Sequence, residues 1–337
     1  MNATGGFLAY GSTRARALRS TLLRTSDILA LRVADDAALF LRAAQSLGFS
    51  LHDETDTRDT LAKRLISRYE TMLRSCPRGR DLFLALVRFH EIENLKLLWR
   101  VTSRGVRSRR WEAFWFPLGG LETIAKRDAR RGTTVHSLAE SLEATPYGDV
   151  VLDASRAHPG DSLSAEIAFD RWGSQRALDA CNALAAGERR AAGLVESMVA
   201  ERDFELLRRG ESRGLTSRVS ALSSVLLSRR YSAASLARIA EWRPERGPLW
   251  RELPHELAHR LGTVTSWDEL FSALRVSRRR AAMRAFIGET FRLAPAAGLL
   301  VLAEGELSAL TALLTARGDA TVEESVTRRI AASLMGA

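Results

Sequence analysis

Residues 81–102 read DLFLALVRFHEIENLKLLWRVT, and this stretch decides the fold class. Its apolar residues recur every three or four positions, along the stripe Leu82, Leu86, Phe89, Ile92, Leu95 and Trp99. This is the spacing of an amphipathic helix that buries one face. The sequence CPRG at residues 76–79 precedes the stretch, and Gly105 follows it. The pattern therefore predicts a helix from about Asp81 to Thr102.

The same spacing covers most of the chain, which indicates an all-α fold. Alternating β-branched runs are nearly absent, and residues 150–152 (VVL) come closest to one. A second clear helix is predicted from about Pro295 to Ala316, ahead of Arg317 and Gly318. The sequence SWDE at residues 266–269 has the spacing of a capping box, so another helix is expected to start at Trp267.

An internal repeat becomes visible when the central stretch is moved along the chain. Residues 91–100 (EIENLKLLWR) align with residues 200–209 (AERDFELLRR), about 109 positions later, and with residues 306–315 (ELSALTALLT). A shorter helix is predicted upstream of each copy, at residues 34–49, 133–147 and 265–277. The sequence therefore predicts three similar helical units, at residues 1–110, 111–220 and 221–337. The positions that define the repeat are Glu91, Asn94, Leu95, Arg100, Asp203, Arg209, Glu306 and Leu310.

Length and composition exclude several classes of protein. The chain has 337 residues, of which 46% are hydrophobic, so it can bury a large core and is not intrinsically disordered. Two cysteines, Cys76 and Cys181, are too few for a disulfide framework. The net charge is +10, and all basic residues except Lys63, Lys96 and Lys126 are arginine. This surplus is weak evidence for any particular partner, because arginine often coats helix surfaces in pairs with Asp and Glu.

No segment has the pattern of a membrane anchor or a secretory leader. The longest apolar run, residues 293–303, stops at Glu304 and falls short of the roughly 20 residues that a membrane span requires. The first residues, MNATGG, lack the basic and then apolar pattern of a signal peptide. The chain is therefore expected to be soluble and cytoplasmic, without membrane insertion.

Several stretches, taken in order, resemble the C/d subunit family of rotary V-type and A-type ATPases. Residues 10–18 (YGSTRARAL), followed by the leucine pair 22–23, are similar to the family's tyrosine, Ala-Arg-x-Arg and paired-leucine opening. Residues 91–100 resemble its acidic-x-x-Asn-Leu-Lys-x-x-x-Arg helix. Residues 142–147 (LEATPY) match its Leu-x-x-Thr-Pro-Tyr element, and the closing helix before residue 317 resembles its last repeat. The resemblance spans about residues 7–318.

The resemblance implies an all-α protein of three related helical units around a pseudo-threefold axis, forming a funnel-shaped socket. It implies a non-catalytic central-stalk subunit without a cofactor. The expected partners are the central shaft and the membrane rotor ring of the ATPase, at the cytoplasmic face of the membrane. The expected function is to couple shaft rotation to transport of protons or sodium, linked to ATP hydrolysis or synthesis.

Two groups of side chains on predicted helices are candidates for contacts with partners. Arg14, Arg16 and Arg19 fall within six residues, and the last two share a helix face. Both a solvated basic face and bidentate contact with partner carboxylates fit this pattern. Asn94 interrupts an apolar helix, so its amide must find hydrogen-bond partners if it is buried, and a structural role between adjacent helices is expected.

The sequence also contains one motif that suggests a zinc metallopeptidase. Residues His255, Glu256, Leu257, Ala258 and His259 form H-E-x-x-H, which places two imidazoles one helical turn apart with a glutamate as general base. Thr265 occupies the position of the third histidine in metzincins, and no histidine follows His259. Only Glu269 or Glu289 could complete the site, so no bound metal is predicted and zinc chemistry stays an alternative.

A basic helical nucleic-acid-binding protein is the other alternative. Arginines cluster at residues 104–110, 127–131 and 278–280, which is the electrostatic footprint of phosphate binding. Acidic residues such as Glu112, Glu122 and Asp128 are interspersed, and no nucleic-acid-binding signature accompanies the clusters, so no direct contact with nucleic acid is expected. A phosphate-binding G-x-x-x-x-G-K-[ST] loop is also absent from the sequence, so no nucleotide site is predicted.

Overall fold

The computed structural model describes residues 3–24, 26–27, 31, 42, 45–46, 54–105, 109–125, 134–212, 264–288 and 291–316. Within these ranges the chain contains helices and no strand, which confirms the predicted all-α fold class. The α-helices are α1 (Ala3–Arg19), α2 (Glu54–Ser75), α3 (Arg80–Ser103), α4 (Val135–Leu142), α5 (Gly148–Ala157), α6 (Ser162–Asn182), α7 (Arg189–Ser212), α8 (Trp267–Arg284) and α9 (Ala294–Ala316). Short 3₁₀ turns cover Pro77–Gly79, Arg109–Phe114, Gly119–Leu121 and Ala186–Glu188.

Two helix predictions are confirmed almost to the residue, and a third, predicted over residues 265–277, is confirmed at its start only, because α8 continues to Arg284. The central helix α3 and the last described helix α9 each lie within two residues of the predicted bounds. Helix α8 starts at Trp267, and the hydroxyl of Ser266 accepts a hydrogen bond from the Glu269 backbone N–H at 3.2 Å. The capping box is only half formed, because the Glu269 carboxylate accepts from the backbone N–H of Thr265, at 2.7 Å, instead of that of Ser266.

The predicted helix over residues 133–147 is wrong in its extent. Helix α4 begins after Thr134, whose side chain caps it, and ends at Leu142. The chain then turns, with the Thr145 N–H donating to the Leu142 carbonyl at 2.8 Å, and α5 starts at Gly148. Pro146 explains the break, because a proline disfavours helical backbone at the residue before it. The predicted helix at residues 34–49 lies largely outside the described residues.

Three pairs of long consecutive helices form the framework: α2 with α3, α6 with α7, and α8 with α9. Helices α3 and α7 are both 24 residues long and start at residues 80 and 189, which is the offset of the sequence repeat. Helix α9 has 23 residues and starts at 294. Helix α3 packs against α6, α6 packs against α7, and α9 contacts α1, α2, α7 and α8.

Helices α3 and α6 approach each other closely. A Cβ atom added at Gly173 of α6 would overlap the Cδ1 atom of Ile92 on α3. A glycine at this position therefore allows the two helix backbones to come close together, at a small cost in helix propensity.

Helix α9 lies in the centre of the described structure. Its residues Ala294–Leu313 are long and apolar enough to cross a membrane by length and composition alone, but 67% of the span is buried inside the protein. Ala296, Ala297, Leu299 and Leu300 have no exposed surface. The helix is apolar on all sides because other helices surround it, as in the core of a large protein.

Candidate functional site

The three candidate interface arginines on α1 do not share one environment. The Arg16 guanidinium donates to the carbonyl oxygen of Phe286, at the end of α8, and the Arg19 guanidinium lies 4.8 Å from the Phe286 ring centre. Arg14 is exposed. Two of the three candidates therefore join α1 to α8 within the chain, and Arg14 remains available to a partner.

Glu91 on α3 is fully buried and connects three parts of the chain. Its carboxylate accepts hydrogen bonds from the backbone N–H groups of Thr123 and Ile124, the latter at 2.9 Å, and from Arg88 of its own helix. It also accepts from the Tyr147 hydroxyl at 2.8 Å. Burial and the Glu91 charge both raise the pKa of Tyr147, so the phenol stays protonated and donates. Two of the stretches that carry the family resemblance thus meet at one carboxylate.

Asn94 holds an irregular segment against the same helix. Its amide nitrogen donates to the Phe116 carbonyl and its amide oxygen accepts from the Phe116 N–H, both at 2.8 Å. The sequence predicts a structural role between adjacent helices. The Asn94 amide instead bonds the backbone of Phe116, which lies in an irregular segment between helices. The pairing satisfies a buried amide and two buried backbone groups together.

Lys96 forms a buried ion pair between α3 and α6. Its ammonium lies 3.0 Å from both carboxylate oxygens of Asp170 and 2.8 Å from a carboxylate oxygen of Glu93. Arg202 of α7 reaches the same Glu93 at 2.9 Å. A single connected group of charges therefore links α3, α6 and α7, and buried charges are tolerated only when paired in this way.

Two arginines at equivalent repeat positions converge on one carboxylate. Arg100 of α3 donates to both oxygens of Glu166 on α6, at 2.6 and 2.5 Å, and this bidentate contact raises the pKa of Arg100. Arg209 of α7 lies 3.7 Å from the same Glu166 and also pairs with Glu205. These contacts add orientation as well as attraction, because the planar guanidinium fits a carboxylate in few arrangements.

Helix α9 carries two further carboxylates of the interior, of which Glu306 is buried and Glu304 is 13% exposed. Glu304 accepts from the Tyr69 hydroxyl on α2 and bonds His90 on α3, each at 2.7 Å. Burial alone would raise the pKa of Glu304, but the contacts with His90 and Tyr69 lower it. Glu306, the repeat equivalent of Glu91, accepts from the Leu23 backbone N–H at 3.2 Å. It also pairs with Arg68 on α2.

The remaining repeat positions are also internal. Leu95 and Leu310 belong to the hydrophobic core, and the Asp203 side chain is buried. The repeat positions on the described helices thus lie inside the protein, where most of them contact other helices or the segments between them. We call the contacts of these polar residues the interhelical network: Glu91, Asn94, Lys96, Asp170, Arg100, Glu166, Glu304 and Glu306. Because the expected role of the chain is mechanical, we take this network as the candidate functional site.

The turns that join the paired helices meet at one end of the structure. A Cβ at Gly79, between α2 and α3, would lie 3.1 Å from Leu293, just before α9. The Glu188 carboxylate, just before α7, accepts from the Leu293 N–H at 2.8 Å. The amino-terminal ends of α3, α7 and α9 therefore lie side by side. The buried carboxylate of Glu188 lies among them, and the positive ends of the helix dipoles stabilise its negative charge.

Sequence reasoning missed the acidic partners in this network, which include Asp170, Glu166 and Glu304. Periodicity held a signal for the first two, because both lie on the face of α6 that also buries Ala165 and Phe169. A carboxylate on an apolar helix face predicts a buried partner. For Glu304 the signal was its place directly after the apolar run of residues 293–303.

The zinc motif His255–His259 lies outside the described residues. Among the residues that are described, no group of three or more His, Cys, Asp or Glu side chains is arranged to hold a metal ion. Cys76 and Cys181 are buried and unpaired with each other, and burial raises the pKa of the Cys76 thiol to about 12. Such a thiol is poorly suited to act as a nucleophile.

The arginine clusters are only partly described. Arg278 pairs with Glu201 on α7, which also accepts from Arg275 at 2.7 Å. Arg104 is exposed, and residues 126–133 lie outside the described part of the chain. The third cluster therefore contributes at least one internal contact between α7 and α8 and is not a continuous basic face.

Residues 12–324 match the family described as ATP synthase (C/AC39) subunit, which covers nearly the whole chain. No curated protein matches the chain significantly.

Proposed function

The chain belongs to the ATP synthase (C/AC39) subunit family, the C/d family of the V-type and A-type ATPases, and we propose that it couples the central shaft to the ion-translocating ring. Membership makes it an accessory subunit that associates with other subunits of such an ATPase. In the proposed role it catalyses no reaction, and it lies at the cytoplasmic face of the membrane. The complex would move protons or sodium, linked to ATP hydrolysis or synthesis.

The observation that supports coupling best is the interhelical network. A protein that passes torque between two others must resist twisting, and densely packed helices have few voids into which they can yield. Apolar contacts are not directional, so helices could still slide along one another. Lys96 with Asp170 and Arg100 with Glu166 oppose that movement, because bidentate ionic contacts fix the register of α3 on α6.

We further propose that residues 1–110, 111–220 and 221–337 are three related units around a pseudo-threefold axis, forming a socket. Three observations support this arrangement. Helices α3 and α7 share their length and the repeat offset. Glu91 and Glu306, at equivalent positions, each accept backbone N–H groups and pair with an arginine. The turns before α3, α7 and α9 converge at one end.

Reconstitution with the cognate ATPase subunits tests the coupling role. ATP hydrolysis and ion movement across vesicle membranes would be measured in complexes with and without this chain. We expect complexes without the chain to hydrolyse ATP while moving few or no ions. Full ion transport in its absence, or failure to co-purify with either shaft or ring, would refute the proposal.

Arg14 provides a residue-level test of partner contact. Replacing the exposed Arg14 by Glu should weaken assembly without changing the melting temperature. Replacing Arg16 by Glu should lower the melting temperature, because it breaks the contact with the Phe286 carbonyl. Unchanged assembly of the Arg14→Glu variant with shaft and ring would remove Arg14 from the interface.

A further inference from the structure

Exposed apolar side chains concentrate at the end where the turns meet. In the described part of the chain, five large hydrophobic residues are between 53% and 72% exposed: Phe7, Tyr10, Phe114, Ile287 and Phe291. Ile287 and Phe291 belong to the connection between α8 and α9, which touches the other two turns. Single exposed apolar residues are ordinary, whereas several on one surface mark an interaction site.

Helix α1 brings Phe7 and Tyr10 to the same end. A Cβ at Gly11 would overlap Cys76, the residue that follows α2. Further along the chain, the carbonyl of Thr21 lies at Arg64 and Arg68, in the middle of α2, so the two helices run antiparallel. With a rise of about 1.5 Å per residue, the residues before Gly11 lie level with the turns or beyond them. Four of the five exposed apolar side chains thus share this end.

Exposed basic residues lie in the same turns and at the helix ends that adjoin them. Arg78 and Arg80 flank Gly79, Arg189 and Arg190 follow Glu188, and Arg284 ends α8, and all five are exposed. Within the described residues, Arg78, Arg80, Arg189 and Arg284 form no ion pair. The described acidic residues here are exposed Asp81 and buried Glu188, and Glu289 lies outside the described part. We call the exposed set the turn-end surface: Phe7, Tyr10, Arg78, Arg80, Arg189, Arg190, Arg284, Ile287 and Phe291.

Three side-chain contacts hold the described backbone beside the turn-end surface. Glu188 bonds the Leu293 N–H, Arg190 lies 3.4 Å from the Ile287 carbonyl, and Arg16 holds the carbonyl of Phe286. The segment that carries Ile287 is therefore attached to α1 and α7. Binding by such a surface requires little ordering of the backbone, which reduces its entropic cost.

We infer that the turn-end surface docks an acidic face of another protein subunit of the ATPase. Aromatic residues and arginine are the side chains enriched in the centres of protein interfaces. The turn-end surface has more exposed arginines than acidic residues, so it fits a partner face that is rich in carboxylates. Complementary charge speeds the encounter of such partners, and like charge disfavours binding of a basic protein. The fixed backbone favours a shaped protein partner over a fluid anionic membrane. The inference rests on the proposed function, because it assigns a surface to one of its two partners.

Two variants and one control test the surface in the full-length chain. One variant combines Ile287→Ser with Phe291→Ser, and the other combines Arg80→Glu with Arg189→Glu. Both arginines open a helix, where a glutamate is favoured by the helix dipole, so the second variant should fold. The control combines Phe114→Ser, Arg156→Glu and Arg171→Glu, which replaces exposed residues elsewhere. Circular dichroism and melting temperature check the fold of each protein.

Binding to the purified shaft, to the detergent-solubilised ring and to vesicles containing anionic lipid would be measured separately. We expect both turn-end variants to bind one of the two protein partners at least about tenfold more weakly, as when an interface anchor is removed. The control should bind like the unmodified chain. Binding of the unmodified chain to that partner should weaken between about 0.1 M and about 1 M salt, because the Debye length falls from about 10 to about 3 Å.

Each other outcome overturns the inference in a recognisable way. Unchanged binding of both turn-end variants to shaft and ring removes the inference but leaves the proposed function intact. A loss confined to anionic vesicles identifies the turn-end surface as a lipid-facing one instead. An unmodified chain that binds neither shaft nor ring refutes the proposed function, and this inference with it.

Discussion

Replacing Asp170 by leucine should destabilise the protein strongly, because it leaves a buried ammonium. The side chains of Lys96 and Asp170 are 1% and 6% exposed. Two of the three hydrogen bonds of Lys96 go to Asp170, and the third goes to Glu93, which is 47% exposed. Breaking a buried ion pair costs about 3–5 kcal/mol. Because Glu93 remains as a partner, we expect a loss of about 3 kcal/mol.

The opposite substitution and the double variant complete a thermodynamic cycle. Among the described residues, Lys96→Met leaves Asp170 paired with Arg202 alone, at 3.9 Å, so its cost should also be about 3 kcal/mol. The double variant Lys96→Met/Asp170→Leu removes both charges, while Glu93 and Arg202 still pair with each other at 2.9 Å. Replacing a complete buried pair by apolar side chains is often neutral. The double variant should therefore lie within about 1 kcal/mol of the unmodified protein, with a coupling energy of about 5–7 kcal/mol.

Urea unfolding measured by far-ultraviolet circular dichroism and by tryptophan fluorescence gives the four free energies, provided that the two transitions coincide. The exposed pair Lys63 and Asp59 on α2, 3.3 Å apart, is the matched control. Lys63→Met should change stability by less than about 1 kcal/mol. Single variants as stable as the unmodified protein, or a double variant no better than the singles, would refute the reasoning.

Three further perturbations test other contacts. Gly173→Ala should cost about 1–3 kcal/mol by overpacking, and adding Ile92→Val should restore most of it by removing the overlapping Cδ1 atom; no rescue in urea unfolding would contradict this packing. Asn94→Leu should cost about 2–4 kcal/mol, since the Phe116 N–H and carbonyl both lose their partner; normal melting with lost assembly would instead make Asn94 an interface residue. The contacts of Glu304 lower its pKa below the ordinary 4.5, so its ionised form stabilises the fold above that pH, and this stability is lost as the pH falls through 4.5 and then the folded pKa. Glu304→Gln should flatten this part of the pH–stability curve, the exposed Glu140→Gln control should not, and equal curves for both would reject the assignment.

The local structure of the chain could be predicted because its signals lie within one or two helical turns. The spacing of Leu82, Leu86 and Phe89 defines α3, and Ser266 marks the start of α8. Periodicity fails where a break depends on one residue, as at Pro146, which ends the helix predicted over residues 133–147. It also locates Asn94 inside a helix without showing what the amide bonds.

The repeat also allowed a partial prediction of the network. It singled out Glu91, Arg100, Arg209 and Glu306, and each forms a buried or half-buried ionic contact. The contacts that Arg16 and Arg19 make within the chain could not be predicted from the sequence. Both contact Phe286, about 270 positions away in sequence, and no local pattern records such a neighbour.

The sequence by itself determined that this protein is helical, where helices α3 and α9 begin and end, and to which family it belongs. These properties follow from side-chain periodicity and from short motifs, which are local. Only the tertiary structure decided that Lys96 meets Asp170, that Arg100 and Arg209 share Glu166, and that three turns converge beside exposed Ile287. Those contacts depend on how helices far apart in sequence are aligned along one another, and that alignment is fixed by packing of whole helix surfaces.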